Sequence, residues 1–318
     1  MDITRCYQQN EPIYNPSSSK SYKNITCNSP YCSQLTYATR LKPNCESTTC
    51  VYGSAYADGT TSFGFLAYEK LRLTPSPYSV FPYYIFGCGL QNQGILNGSA
   101  GLLGLDRGPF SPVSQLAFKY GKYFSYCLPT STSSTGTLTF GKGGTKSTSI
   151  QFTPLLVNPQ QPTLYFVDII GIKVGGRKLP IPKSVFKTPA GTIVDSGTDI
   201  TRLQPAAYAA LRESFRAGAK AYKLIKVESI FDTCYDFTGV DKIHVPTISF
   251  LFAGNIEVPI SFPGTILLDP EVSQGCLAFA GNSNASDLGI IGNVQQQTLD
   301  VVYDIEGGKI GFGTGGCS

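Results

Sequence analysis

One short segment holds the residue types needed for carboxylate chemistry. Gly191-Thr192-Ile193-Val194-Asp195-Ser196-Gly197-Thr198 sets an acid directly after a β-branched run, then a small hydroxyl residue, a glycine and a second hydroxyl residue. A strand that turns sharply at this point needs a glycine for its backbone. The acid would then project from a rigid floor, its orientation fixed by neighbouring hydroxyls and amides. A carboxylate held in this way can act as general base or general acid on a bound water. Asp-Ser-Gly is also ordinary turn chemistry, and the segment alone does not choose between the two readings.

Other chemistries are poorly supplied. His244 is the only histidine, lies just before Pro246 and has no nucleophile motif nearby. That argues against serine or cysteine hydrolysis, in which the nucleophile needs a base beside it. Ten cysteines, at positions 6, 27, 32, 45, 50, 88, 127, 234, 276 and 317, accompany this one histidine. The ratio argues against Cys/His zinc sites, and no pair has the Cys-x-x-Cys spacing of a zinc ribbon or redox motif. No metal and no cofactor is expected.

Disulfides are the better reading of the cysteines, and they imply an oxidising compartment. Three sequons make Asn24, Asn97 and Asn284 candidate glycosylation sites in a secretory lumen. Met1-Asp2-Ile3-Thr4-Arg5-Cys6 has no apolar core of a signal peptide, so the sequence reads as incomplete at its N-terminus.

The elements that would position Asp195 are mostly strands. Glycine (34) and proline (21) are abundant while charged residues make up only 14% of the chain, a usage that favours short strands and many turns. Strand-like runs occur at 83–86, 137–140, 165–172, 193–194, 248–252, 266–268 and 298–303, and Asp58-Gly59 signals a tight hairpin. The convincing helix runs from about Pro205 to Gly218: Pro205 suits the first helical position, and Tyr208, Leu211 and Phe215 share one face. Residues 27–50, with four cysteines among polar residues, read as a disulfide-stapled surface loop without a core of its own.

At 318 residues the chain is long enough for about two domains. Its net charge of +4 and the lack of a Lys/Arg run exclude the cationic field of a nucleic-acid binder. No apolar stretch approaches the roughly 18 residues that span a bilayer.

Two elements point to an internal duplication. Gly101-Leu102-Leu103-Gly104 in the first half matches Gly289-Ile290-Ile291-Gly292 in the second, each an apolar pair closed by glycine. With the Asp195 segment, Tyr56-Ala57-Asp58-Gly59-Thr60, Phe86-Gly87-Cys88-Gly89, Phe124-Ser125-Tyr126-Cys127-Leu128 and Gly316-Cys317, the chain resembles a pepsin-type aspartic protease. The likeness is to the plant nepenthesin-like branch with its cysteine-rich insertion, and it covers nearly the whole chain.

The resemblance implies a mostly β, bilobal fold of two pseudo-symmetric lobes with a few short helices. Residues 1–160 would form the N-terminal lobe, with the cysteine-rich insertion at 27–50 and a flap hairpin near 52–66; residues 161–318 would form the C-terminal lobe. It implies peptide-bond hydrolysis by an Asp-activated water, with one carboxylate from each lobe sharing a proton, since like charges about 3 Å apart cannot both ionise. Asp195 would be the second-lobe member, supported by Ser196, Gly197 and Thr198. Thr198 would bond across the active-site floor, and Tyr56 would sit on the flap over substrate. A secreted monomer acting on a peptide or protein is implied.

The first-lobe signature, an apolar strand ending in Asp-Thr-Gly, is absent from the sequence, and Asp2-Ile3-Thr4 has neither the strand nor the glycine to replace it. The expectation is a family member without protease activity as it stands. The alternative is an inactive protein-binding or inhibitor-like homologue, as among the pepsin-like xylanase inhibitors. Within this resemblance Cys234 and Cys276 are expected to bridge each other and Cys317 to reach back to Cys127. The four cysteines at 27–50 allow three pairings, and Cys6 and Cys88 remain.

Overall fold

Short apolar runs punctuated by glycine and proline become short strands gathered into several small sheets. The computed structural model describes residues 7–96, 98–131, 133–227, 229–269 and 271–317. The chain divides into two compact units, Met1–Lys119 and Tyr120–Ser318.

The first unit is built around the long strand Thr61–Arg72. Thr49–Ala55, Val80–Gln93 and the short Lys23–Asn24 all pair with it antiparallel, and Asn44–Glu46 adds to the far side of Thr49–Ala55. Residues 27–50 differ from the coreless loop expected of them. They contain the helix Pro30–Thr39, which starts with Ser29 Oγ accepting the Tyr31 N–H and proline in its first turn, both standard helix-start devices. Cys32 and Leu35, three apart on one helix face, are buried with Ile25, Cys50, Tyr52, Leu66 and Ile85. The insertion therefore supplies part of the unit's core. Disulfides Cys27–Cys45 and Cys32–Cys50 select one of the three possible pairings.

In the second unit, Tyr123–Cys127 and Gln151–Pro154 join a five-stranded sheet with Leu299–Asp304 and Lys309–Thr314. Sequence placed the lobe boundary near 160; the compact units divide at 119/120 because these early strands pair with the last strands of the chain. Phe124 stacks on Tyr303 across the sheet, with ring centroids 4.4 Å apart. Disulfide Cys127–Cys317 ties the same sheet to the C-terminal end, and Cys234–Cys276 bridges two neighbouring strands. The helix Pro205–Gly218 buries Ala207, Tyr208, Leu211 and Phe215. Each large apolar side chain removed from water in this way contributes about 1.5–3 kcal/mol. Among the described residues no helix is long and apolar enough to cross a membrane.

Candidate active site

Asp195 stands at the end of a strand that is covered on both sides. Thr192–Val194 runs parallel to Gly289–Ile291 and antiparallel to Phe166–Val167, and all three of its residues are buried. Burial on both faces is why the run reads as continuously β-branched rather than alternating. Past Val194 the pairing continues for one more bond, from Asp195 N–H to the Ile291 carbonyl at 3.1 Å.

The chain then turns, and the turn's own donors take both carboxylate oxygens. Gly197 N–H donates to Asp195 Oδ1 at 2.9 Å, and the Thr198 hydroxyl donates to Oδ2 at 2.7 Å. Asp195 stays half-buried. The role of Gly197 differs from the conformational one expected of it, since its φ lies outside the left-handed region. A Cβ there would sit 3.2 Å from Asp195 Oδ1, so glycine keeps the space in front of the acid clear. Thr198, for which a bond across the floor was implied, places its hydroxyl on the acid of its own turn.

A second segment clamps this turn. Asn293 N–H donates to the Thr198 carbonyl at 2.7 Å and its side-chain amide to the Ser196 carbonyl at 3.0 Å, while Val294 N–H donates to Asp199 at 2.9 Å. Gly292 lets the segment approach, because a Cβ at that position would lie 2.4 Å from the Ile200 carbonyl carbon. Beneath lies a buried polar layer. Gln296 Nε2 donates to the carbonyls of Ile291 (2.9 Å) and Gly292 (3.1 Å), and the Tyr126 hydroxyl donates to Gln296 Oε1. Tyr126 and Tyr303 hydroxyls lie 3.2 Å apart. Burial pushes both well above the ordinary tyrosine range, and the Asp195 charge adds to the shift. Both phenols therefore remain neutral hydrogen-bonding groups.

Sequence reasoning did not single out Tyr126, Asn293, Gln296 or Tyr303. The signals were the Phe124-Ser125-Tyr126-Cys127-Leu128 run and the polar residues directly after Gly292.

Tyr56 belongs to the first unit, at the turn of the hairpin between Thr49–Ala55 and Thr61–Arg72, and is 45% exposed. The turn is wider than the two-residue Asp-Gly connection expected. Tyr56 N–H donates to the Thr60 carbonyl at 2.8 Å, and the Asp58 carboxylate accepts the Thr60 N–H and hydroxyl at 2.8 and 2.9 Å. These two bonds from Thr60 hold Asp58 below the usual carboxylate range. Gly59 takes φ +85°, a conformation open to glycine at little cost.

Asn24 and Asn284 are both exposed; Asn97 and Cys6 lie outside the described residues. Cys88 is a buried free thiol. His244 is exposed, and its backbone N–H donates to the Tyr222 hydroxyl at 2.7 Å. No cluster of three or more His, Cys, Asp or Glu able to hold a metal occurs among the described residues.

Comparison with known proteins gives the family. Two family models match, described as xylanase inhibitor N-terminal over residues 2–142 and xylanase inhibitor C-terminal over residues 164–314. The chain is 34% identical to aspartic proteinase nepenthesin-2 of Nepenthes gracilis, over 97% of its own length and 69% of that protein. It belongs to the plant pepsin-like aspartic protease family.

Within that family it is 50% identical to an aspartyl protease family protein of Arabidopsis thaliana, over 99% of this chain and 66% of that one. It is 48% identical to a second Arabidopsis aspartyl protease, of which it spans 64%. The chain thus spans a little under two thirds of these two relatives. The crystal structure of basic 7S globulin from soybean superposes with a TM-score of 0.76 at 24% identity, over 97% of this chain and 86% of that one. A likeness at that identity speaks to the pepsin-like fold.

Proposed function

We propose that this chain is the body of a secretory-pathway aspartic endopeptidase in which Asp195 is one of two carboxylates that activate a water toward a peptide bond. The observation that carries the reading is the Asp195 carboxylate, placed at the end of a buried strand. Both of its oxygens accept hydrogen bonds from its own turn, at 2.9 and 2.7 Å, and the residue is half-buried. Such a group is oriented before substrate arrives, as general acid-base catalysis requires. Ser196, Gly197 and Thr198 shape the turn, and Tyr56 on the exposed hairpin is the residue assigned to contact substrate. The oxidised cysteines and the exposed Asn24 and Asn284 suit a glycoprotein made in the secretory pathway.

One carboxylate cannot share a proton by itself, and the 318 residues carry a single apolar-strand Asp-hydroxyl-Gly signature. The polypeptide of these 318 residues, taken alone, is therefore assigned no acid protease activity. The test is a peptide-cleavage assay near pH 3–5 on the purified chain, with and without pepstatin, alongside Asp195→Asn. Pepstatin-sensitive cleavage that Asp195→Asn abolishes overturns the assignment of inactivity and supports Asp195 as catalytic. Cleavage that survives Asp195→Asn removes Asp195 from the mechanism.

The match to the xylanase inhibitor models supports a second reading, a protein-binding homologue without turnover. Stoichiometric inhibition of a xylanase by the purified chain would favour it.

A further inference from the structure

Two buried side chains of the second unit leave their polar atoms unpaired around one glycine. Gln204 is 1% exposed and Thr192 is 2% exposed. Gln204 Nε2, Gln204 Oε1 and Thr192 Oγ1 have no hydrogen-bond partner among the described residues. Buried polar groups are nearly always paired, either with protein or with ordered water, and leaving one unmet is costly. Gln204 stands just ahead of the helix Pro205–Gly218, yet its side chain makes no capping bond there. Its carbonyl serves the helix instead, accepting the Tyr208 N–H at 3.0 Å.

Strand order brings the two residues together. Gly289–Ile291 lies between Thr192–Val194, which pairs with it in parallel, and Thr201–Leu203, which pairs with it antiparallel. Thr192 is the direct partner of Gly289, and Gln204 follows the strand on the other flank. A Cβ on Gly289 would lie 2.6 Å from Thr192 Oγ1 and 2.9 Å from Gln204 Nε2. Both polar groups therefore converge on the side of the sheet that the glycine leaves clear, without bonding each other. Two groups placed in this way are what a bridging water joins.

We propose that Thr192 and Gln204 hold one internal water over Gly289. Water suits the chemistry of the site. It accepts from the Gln204 amide N–H and donates to an unpaired oxygen, and the Thr192 hydroxyl can take either role, which gives it the two to four partners that buried waters have. The three atoms are uncharged, so an ion in the same place would be left uncompensated. The bound water ties the strand that ends in Asp195 to the start of the helix Pro205–Gly218, through side chains on either flank of Gly289–Ile291. The inference concerns packing within the second unit and stands whether or not the chain hydrolyses peptides.

The test is a high-resolution crystal structure of the purified 318-residue chain, joined to urea unfolding of variants. One water is expected within about 2.6–3.2 Å of both Thr192 Oγ1 and an atom of the Gln204 amide. A direct bond between the two side chains, or from either to a backbone group, with no water beside them overturns the proposal. Thr192→Val and Gln204→Met keep approximate size while removing polar partners, and each should lower the folding equilibrium constant about tenfold. The double variant should lie within about threefold of the less stable single variant, because losing either side chain loosens the same water and losing both leaves fewer groups unpaired. Losses that multiply in the double variant overturn the shared water, as does a single variant as stable as the parent. If a variant does not fold, the crystal structure of the parent decides the matter by the same criterion.

Discussion

Asp195 and Gln296 share one acceptor: the Ile291 carbonyl takes the Asp195 backbone N–H at 3.1 Å and Gln296 Nε2 at 2.9 Å. The other end of the Gln296 amide accepts the Tyr126 hydroxyl. Tyr126, 170 positions from Gln296 in sequence, thus helps fix the strand end from which the acid projects.

Removing the hydroxyl should leave Gln296 Oε1 short of a donor in a buried site. Tyr126→Phe is expected to cost about 1–3 kcal/mol, the usual penalty for a buried polar atom left unpaired. Gln296→Leu, which also removes a donor from the Gly292 carbonyl and leaves the Ile291 carbonyl with the Asp195 N–H alone, should cost at least as much. Urea unfolding at constant pH measures both, and a loss within about 0.5 kcal/mol for Gln296→Leu would contradict the network.

The paired glycines make an internal control. Gly292→Ala drives a Cβ into backbone 2.4 Å away, and backbone cannot yield as a flexible side chain would, so a loss of about 3 kcal/mol or a failure to fold is expected. Gly104→Ala, with open space around it, should change stability by no more than about 0.5 kcal/mol. Similar losses at both positions in thermal unfolding would contradict the asymmetry between the two units.

Glu69 adds a pH-dependent tie within the first unit. Burial alone would raise this carboxyl, but donors from Ser19, Ser21 and Tyr14 and the Lys70 N–H outweigh it and hold the group at about 2. A depressed carboxyl contributes stability that is full above its unfolded value, about 4.5, and is lost as pH falls toward 2. After discounting for solvent screening, the contribution is about 1–2 kcal/mol. Glu69→Gln should therefore be less stable than the parent at pH 6 and equal to it near pH 2. A stability difference independent of pH would rule out this role.

The Cys127–Cys317 bridge spans 190 residues. Replacing both cysteines by serine should lower stability by about 2–5 kcal/mol, since a link across so long a loop restricts the unfolded chain strongly. Denaturant titration of the double variant, compared with the parent under non-reducing conditions, gives the number directly.

Legibility in the sequence followed the range of the interactions. The helix Pro205–Gly218 could be read because its buried residues fall at helical spacing and its ends carry local signals. The helix Pro30–Thr39 was hidden by its polar, cysteine-rich composition, although Ser29-Pro30 was a readable start. The turn around Asp195 was visible as a carboxylate after a β-branched strand. Tyr126 and Gln296 were not, because nothing local marks a tyrosine and a glutamine as partners across 170 residues.

By itself the sequence determined short strands, an oxidised cysteine set, one acid at a strand end and membership in a recognisable family, all of which rest on local spacing and residue type. The tertiary structure decided which strand lies beside which. That choice buries Ile291 and makes a glycine necessary at 292, while leaving Leu102 and Leu103 uncovered in a segment of the same pattern. The difference is physical: a Gly-apolar-apolar-Gly run specifies a surface that wants a neighbour, and only the long-range pairing of strands supplies one.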